Sequence, residues 1–188
     1  MTKTRIHTVE TAPDASKPLL SQALKSTGRI ANLHGVMAES PALLEGYQTL
    51  HRLALDKTGF SPAERTVIWQ SINVEHACHY CVPAHTAIAE SEKVDADVTE
   101  ALRDEQPLND PRLEALRAFT LAVVRKRAQL SPGDEQAFRQ AGYDDRAILD
   151  VIAIVAQKVM SNYTNAIFGT PVDAPFQKFA WGAGRKAA

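Results

Sequence analysis

The chain has 188 residues, 45% of them hydrophobic, and a formal net charge of −1 at pH 7. This size fits one domain with a substantial core, and the interspersed charges include no basic run of the kind that binds nucleic acid or an anionic membrane surface. The longest apolar run is far shorter than the ~20 residues of a membrane span. Residues 1–18 lack the apolar stretch of a secretory signal. The composition predicts a soluble, cytoplasmic protein with no nucleic-acid or membrane partner.

Residues 1–15 show mixed polarity and no helical period, which predicts a flexible N-terminal arm before a single domain over residues 16–188. From Lys17 onward, apolar residues recur at helical spacing. Ser61-Pro62-Ala63-Glu64 has the sequence of a capping box, and other Ser-Pro and Asp-Pro pairs also mark helix starts. Helices are predicted to begin near Lys17, Arg29, Pro41, Pro62, the cysteine motif, Asp95 or Asp97, Pro111, Pro132 and Asp144.

No stretch alternates with a period of two residues, and no Asn-Gly or Asp-Gly hairpin turn occurs. We therefore predict an all-α fold of eight or nine helices. The aromatic residues of the tail, Phe176, Phe179 and Trp181, are expected to pack as a latch, on this subunit or on a neighbouring one. The absence of βαβ units excludes a thioredoxin fold, although the chain contains a Cys-x-x-Cys pair.

Residues 75–85 hold both cysteines of the chain and three of its six histidines. In a reducing compartment two close thiols are rarely a structural disulfide, so redox chemistry or metal binding is indicated. Proline is best tolerated in the first turn of a helix. Pro83 therefore places a helix start between His79 and Val82, with Cys78 at or just before its N-cap.

A helix N-terminus and a neighbouring imidazole both lower a thiol pKa and so raise the thiolate fraction. His85 follows Cys81 by one turn and can accept its proton directly or through water. Glu75 or Glu64 could orient His85. Attack on a peroxide would leave a sulfenic acid on one cysteine, and the other could condense with it to a disulfide. An external dithiol would then restore the pair.

Zinc binding is the alternative use of these side chains. Cys78, Cys81 and His85 could supply three ligands, with His76 or His79 as the fourth. Structural zinc sites usually draw ligands from two segments, however, and the sequence has no second Cys/His cluster. His34, His51 and Trp69 are expected in the core or at an interface, and Asn162 and Asn165 to satisfy a helix bend or an interface.

Several motifs together resemble the carboxymuconolactone decarboxylase-like superfamily, specifically its alkyl hydroperoxidase D (AhpD)-like branch. They are Ser61-Pro62-Ala63-Glu64-Arg65 before an apolar helix, Cys78-His79-Tyr80-Cys81 with His85 four residues on, and the tail segments 162–165 and 169–173. The resemblance implies an AhpD-like helical bundle assembling as a trimer or hexamer. It also implies peroxide reduction with Cys81 as the attacking thiol, Cys78 as the resolving thiol and His85 as the proton relay.

In this family a glutamate also takes part in the proton relay, and this chain lacks it at the usual position. The branch carries a glutamate twelve residues before the first cysteine, where this chain has Thr66. Glu75 is the preferred substitute and Glu64 the second choice.

The sequence thus predicts a peroxidase that uses an external dithiol and no cofactor or metal, and that reduces hydrogen peroxide or organic hydroperoxides. The alternatives are a zinc-binding or redox-sensing helical protein, and a lactone lyase as in the decarboxylase branch. That branch lacks the cysteine pair, which counts against the lyase.

Overall fold

The computed structural model describes residues 4–182, and within them the chain is helical and contains no β-strand. The all-α prediction is confirmed. No helix in this range is long and apolar enough to cross a lipid bilayer. The α-helices are α1 (Lys17–Thr27), α2 (Asn32–Met37), α3 (Pro41–Asp56), α4 (Pro62–Glu75), α5 (Cys81–Ser91), α6 (Ala96–Arg103), α7 (Pro111–Arg125), α8 (Pro132–Gln140) and α9 (Asp145–Phe168), with 3₁₀ helices at Asp14–Ser16 and Ala174–Phe179.

Side-chain caps fix the starts of many helices. In the predicted capping box of α4, Ser61 Oγ accepts the Glu64 N–H at 3.3 Å and Glu64 Oε2 accepts the Ser61 N–H at 2.9 Å. Caps of this kind satisfy N–H groups that have no partner within the helix. The other residues whose side chains accept first-turn N–H groups are Ser40, Asp95, Asp110 and Asp144.

The central element is α4, in which every side chain from Glu64 to Asn73 is buried. It packs against α5, α6, α7 and α9. A helix that is buried all round must satisfy its polar side chains internally. Gln70 does so by donating to Val82 O and Thr86 Oγ1, both at 3.1 Å, and these bonds fix α5 against α4.

The N-terminal segment, residues 4–16, lies against the helices instead of extending as the expected flexible arm. The His7 N–H donates to Gly35 O at 3.0 Å, and its ring lies 2.9 Å from Thr11 O and 2.6 Å from Glu39 Oε2. Gly35 permits this approach because a Cβ there would lie 2.9 Å from His7 O. A single buried histidine creates no periodic pattern, so sequence periodicity did not reveal this packing.

We call residues 170–182 the C-terminal strap, which crosses the cysteine motif. Asp173 is buried there and accepts the Tyr80 hydroxyl and, at 3.1 Å, the Asn32 N–H. Farther along, the Arg103 guanidinium donates to Phe179 O at 3.1 Å, and the Arg103 backbone carbonyl accepts the Trp181 indole N–H at 2.9 Å. The expected aromatic latch thus packs on its own subunit.

Replacing Asp173 by alanine is expected to lower the free energy of unfolding by about 2–4 kcal/mol, because Tyr80 Oη and the Asn32 N–H would lose their buried acceptor. Urea denaturation of both proteins measures this. The matched control is Glu90→Ala, which removes only a pair with Lys178 in which both side chains are 62% exposed, and about 0.5 kcal/mol or less is expected. Equal midpoints for the two variants would contradict the role of Asp173.

Candidate active site

The cysteine motif begins where the chain reverses direction after α4. Ala77 has φ = 47°, a left-handed conformation, and the Cys78 N–H donates to Asn73 O at 2.9 Å. The chain then enters α5 with Tyr80 as N-cap and Cys81 as the first helical residue. This agrees with the predicted start between His79 and Val82. Both thiols are free and buried, and the Cys81 N–H donates to Cys78 Sγ at 3.2 Å.

The two sulfurs lie in different electrostatic environments. Burial by itself raises the pKa of Cys81, but a hydrogen bond from the Cys78 thiol, the charge of Lys158 and the amides of Asn162 and Asn165 outweigh burial and bring the pKa to about 6. The hydrogen bond to Cys81 raises the pKa of Cys78, and burial raises it further. Cys81 therefore carries the thiolate, and Cys78 remains the thiol that donates to it.

Helix α9 supplies the groups that face the sulfurs. Asn165 Nδ2 lies 3.2 Å from Cys81 Sγ and 3.7 Å from Cys78 Sγ. Lys158 has no solvent exposure, and its Nζ lies 2.9 Å from His85 Nε2. Burial lowers the pKa of Lys158, although the negative charge of the cysteines opposes this. The positive charge of Lys158 therefore favours the Cys81 thiolate, and the thiolate in turn favours the ammonium form of Lys158.

His85 follows Cys81 by one turn of α5, and its imidazole stays neutral. Burial holds its pKa well below the usual value, and the positive charge of Lys158 acts in the same direction. Its Nδ1 is buried with no hydrogen-bond partner among the described residues. The ring packs on Trp69 with centroids 4.9 Å apart. The His85 ring is thus held by Lys158 and Trp69, and its Nδ1 has no hydrogen-bond partner among the described residues.

A chain of buried amides holds α9 in register with α4. His76 Nδ1 lies 2.9 Å from Asn162 Oδ1, and Asn162 Nδ2 donates to Asn73 Oδ1 at 3.0 Å. Asn73 Nδ2 then donates to Gln70 Oε1 at 3.0 Å. Because buried amides are costly to leave unpaired, this chain fixes the position of Asn162 relative to Cys81.

A cavity of about 400 Å³ leads to Cys81. Its deep lining includes Leu33, Tyr47, Cys81 and His85, which are all buried, whereas exposed residues such as Arg52 lie at its outer edge. One wall consists of rings: His34 contacts Tyr47 edge-on at 5.7 Å, and Tyr47 stacks on His51 at 6.2 Å. Burial lowers the pKa of both His34 and His51 to about 4, so these rings are neutral. The cavity suits an uncharged or weakly polar organic molecule.

No protein-family model matches this sequence, and no curated protein matches it either. Solved structures do resemble it. One is the alkylhydroperoxidase AhpD core protein of Ralstonia eutropha JMP134, an uncharacterized peroxidase-related protein, with a TM-score of 0.80 and 24% identity over 91% of this chain and 92% of that chain. An uncharacterized peroxidase-related protein from Silicibacter sp. TM1040 aligns with a TM-score of 0.74 and 21% identity over 87% of each chain.

The chain has the AhpD fold.

A third similar structure is that of the debrominase Bmp8, as a cysteine-to-alanine variant in complex with 2,3,4-tribromopyrrole. It aligns with a TM-score of 0.78 and 18% identity over 95% of each chain. The expected resemblance to the AhpD-like branch is thereby confirmed at the level of the fold.

The AhpD-like fold does not bring either expected glutamate into hydrogen-bond contact with His85 or the thiols. Among residues 4–182, Glu75 pairs with Arg125 at 2.6 Å. Glu64 is engaged by the capping box, by the Tyr143 hydroxyl at 2.9 Å and by Arg112 at 2.8 Å. Lys158 instead lies next to His85. The relay roles of Glu75 and Glu64 therefore remain predictions without a supporting contact.

Lys158 was not predicted as a site residue, and Asn165 hydrogen-bonds to the sulfurs instead of satisfying a helix bend or an interface as expected. A signal for Lys158 exists: it is the only charged residue in 151–168. It also follows Val151 and Ile154 at spacings of seven and four residues, which places it on the buried face of α9. A lysine on a buried face needs a partner.

The histidines proposed as extra zinc ligands have other contacts. His76 bonds to Asn162, and His79 Nδ1 lies 3.3 Å from Trp181 O. Within residues 4–182 no three His, Cys, Asp or Glu side chains are grouped to hold a metal ion. The zinc alternative therefore lacks a ligand set in this part of the chain.

Proposed function

We propose that this protein is a thiol-dependent peroxidase that reduces organic hydroperoxides, and hydrogen peroxide less efficiently, through a Cys78–Cys81 dithiol/disulfide cycle. The observation that carries the proposal is the asymmetry of the pair. Cys81, whose pKa is lowered in part by the charge of Lys158, lines a cavity, and Cys78, with a raised pKa, donates a hydrogen bond to it. A reactive thiolate and a protonated resolving thiol are what such a cycle requires.

The chemistry balances with one external dithiol. The Cys81 thiolate attacks the outer oxygen of ROOH, the O–O bond breaks, and Cys81 becomes a sulfenic acid while RO⁻ leaves and takes a proton. The Cys78 sulfur then displaces the hydroxyl group, which leaves as water with the Cys78 proton. The dithiol donor reduces the resulting disulfide and is itself oxidised to a disulfide. The net reaction converts ROOH and a dithiol into ROH, water and a disulfide.

The size of the cavity supports an organic substrate. About 400 Å³ lies within the range of small-molecule sites and far exceeds the volume of hydrogen peroxide. The apolar and aromatic lining would receive the organic group of the hydroperoxide. The need for a reduced dithiol supports a reducing compartment such as the cytoplasm.

The exposed face of α9 supports assembly into a homo-oligomer, which we propose to be a trimer or hexamer. Leu149 and Ile167 are 66% and 77% exposed there, and Ile152, Tyr163 and Phe168 are also exposed. Soluble monomers rarely leave so many large apolar side chains along one helix. A second copy of this chain is the occupant that the proposal assigns to this face.

Mass spectrometry after one equivalent of cumene hydroperoxide tests the peroxidase proposal. We expect a loss of two hydrogens that maps to the peptide containing Cys78 and Cys81, and its reversal by dithiothreitol. An unmodified dithiol after exposure, in folded protein, would refute the proposed cycle.

Reductive dehalogenation is a second candidate, favoured by the ring-lined wall of Tyr47 and His51 together with the similarity to a debrominase. The balanced reaction converts an aryl bromide and a dithiol into the arene, a disulfide and HBr. Ion chromatography of bromide, after incubation with a brominated pyrrole and dithiothreitol, separates the candidates. Bromide release without peroxide consumption would favour this second function.

A further inference from the structure

Stabilising the Cys81 thiolate does not by itself explain two buried polar groups of the site, the Lys158 ammonium and the His85 imidazole. Within residues 4–182, the hydrogen-bond partner of the Lys158 ammonium is His85 Nε2, at 2.9 Å. On the same ring Nδ1 is buried without a partner, and His85 lines the cavity that leads to Cys81. Leaving a buried nitrogen unpaired costs about 1–3 kcal/mol. A bound substrate could offset that cost.

The position of the ring proton follows from the donor inventory. An ammonium group has donors only, so His85 Nε2 must accept from Lys158. A neutral imidazole then carries its proton on Nδ1. The charged state of Lys158 therefore makes His85 present an N–H donor from its unpartnered nitrogen. If Lys158 loses its proton to Nε2, the ring can release the Nδ1 proton and remain neutral.

We propose that Lys158 supplies, through His85, the proton that the leaving oxygen of the hydroperoxide requires. This inference rests on the proposed peroxidase function. As the Cys81 sulfur bonds to the outer oxygen and the O–O bond breaks, RO⁻ takes the Nδ1 proton of His85. Nε2 takes a proton from Lys158 in the same step. Thiolate, ammonium and ROOH thus become sulfenic acid, neutral amine and ROH, with charge balanced throughout.

The relay is restored within the catalytic cycle. Reduction of the disulfide by a dithiol returns both cysteines as thiols, and the Cys81 proton then passes to the Lys158 amine to regenerate the ion pair. In each cycle Lys158 therefore receives the proton of the Cys81 thiol and later donates it, through His85, to the alcohol product. Because Lys158 is buried, this proton does not exchange with protons of bulk water during the step.

The test compares two oxidants that differ in their need for a proton. tert-Butyl hydroperoxide releases a strongly basic alkoxide, whereas peracetic acid releases acetate, a weak base. Single-turnover oxidation of Cys81 is followed by stopped-flow fluorescence in the wild type, Lys158→Arg, His85→Gln and a surface control, Lys126→Arg. Arginine keeps the positive charge near Cys81 but does not release a proton, and an amide cannot shuttle one.

In Lys158→Arg and His85→Gln we expect the rate with tert-butyl hydroperoxide to fall by about 100-fold or more, and the rate with peracetic acid by about threefold or less. Lys126→Arg should match the wild type with both oxidants. If Lys158→Arg does not fold, as judged by circular dichroism, His85→Gln provides the same comparison. Equal losses with both oxidants would show that Lys158 and His85 are only structural and would overturn the relay. A wild type inert to both oxidants would instead reject the peroxidase function itself.

Discussion

Replacing Cys81 by serine should abolish dithiol-dependent peroxide reduction, with a loss of roughly 10³-fold or more. A serine hydroxyl in the same place would not ionise near neutral pH, although Lys158 and Asn165 still surround it. Consumption of cumene hydroperoxide in the presence of dithiothreitol measures the effect. The buried site should still fold, because serine is smaller than cysteine and Asn165 can hydrogen-bond to it.

Cys78→Ser is the matched control, since it changes the neighbouring sulfur in the same way. Its hydroxyl can still donate to the Cys81 thiolate, so the first oxidation should stay within about tenfold of the wild type. The product should be a sulfenic acid on Cys81, detectable by dimedone labelling, and no disulfide should form. Labelling of Cys78 in the Cys81→Ser protein at the wild-type rate would reverse the assigned roles.

Lys158→Met should shift the pH dependence of Cys81 alkylation strongly upward. In the wild type the pKa of about 6 makes Cys81 mostly thiolate at pH 7, and its rate with iodoacetamide should rise with pH through that value. Lys158 supplies one of the effects that oppose burial, so its loss should raise the pKa of Cys81 toward the ordinary thiol value of about 8.5. The alkylation rate at pH 7 should therefore fall, by up to about 30-fold at that pKa.

Other titratable groups near Cys81 could contribute to the pH dependence of its alkylation. Cys78 interacts directly with Cys81, and His85, His51 and Tyr47 line the same cavity as Cys81. Measurement in a Cys78→Ser background removes the other thiol. Lys126→Met, at an exposed pair with Asp134 on α7 and α8, should leave the profile unchanged. An unshifted midpoint in Lys158→Met would show that hydrogen bonds stabilise the thiolate without the Lys158 charge.

Local signals were sufficient to predict the helices and the cysteine pair. Ser61 and Glu64 cap α4 as the sequence indicated, and α5 begins at Cys81, within the predicted interval. A cap involves residues within one turn, so it can be seen in the sequence. Sequence position cannot select the relay carboxylate in the same way, because contact with His85 depends on how the helices pack, so the roles of Glu75 and Glu64 stay predictions.

By itself the sequence determined the all-α fold, the starts of most helices and the pair of thiols beside His85, because each depends on residues within a few positions of one another. Only the tertiary structure decided which groups surround those thiols. Lys158 and Asn165 lie more than seventy residues along the chain from the sulfurs and reach them through the packing of α9 on α4 and α5. Hydrophobic periodicity shows which face of a helix is buried, but the contacts of a polar side chain on that face depend on how the helices pack.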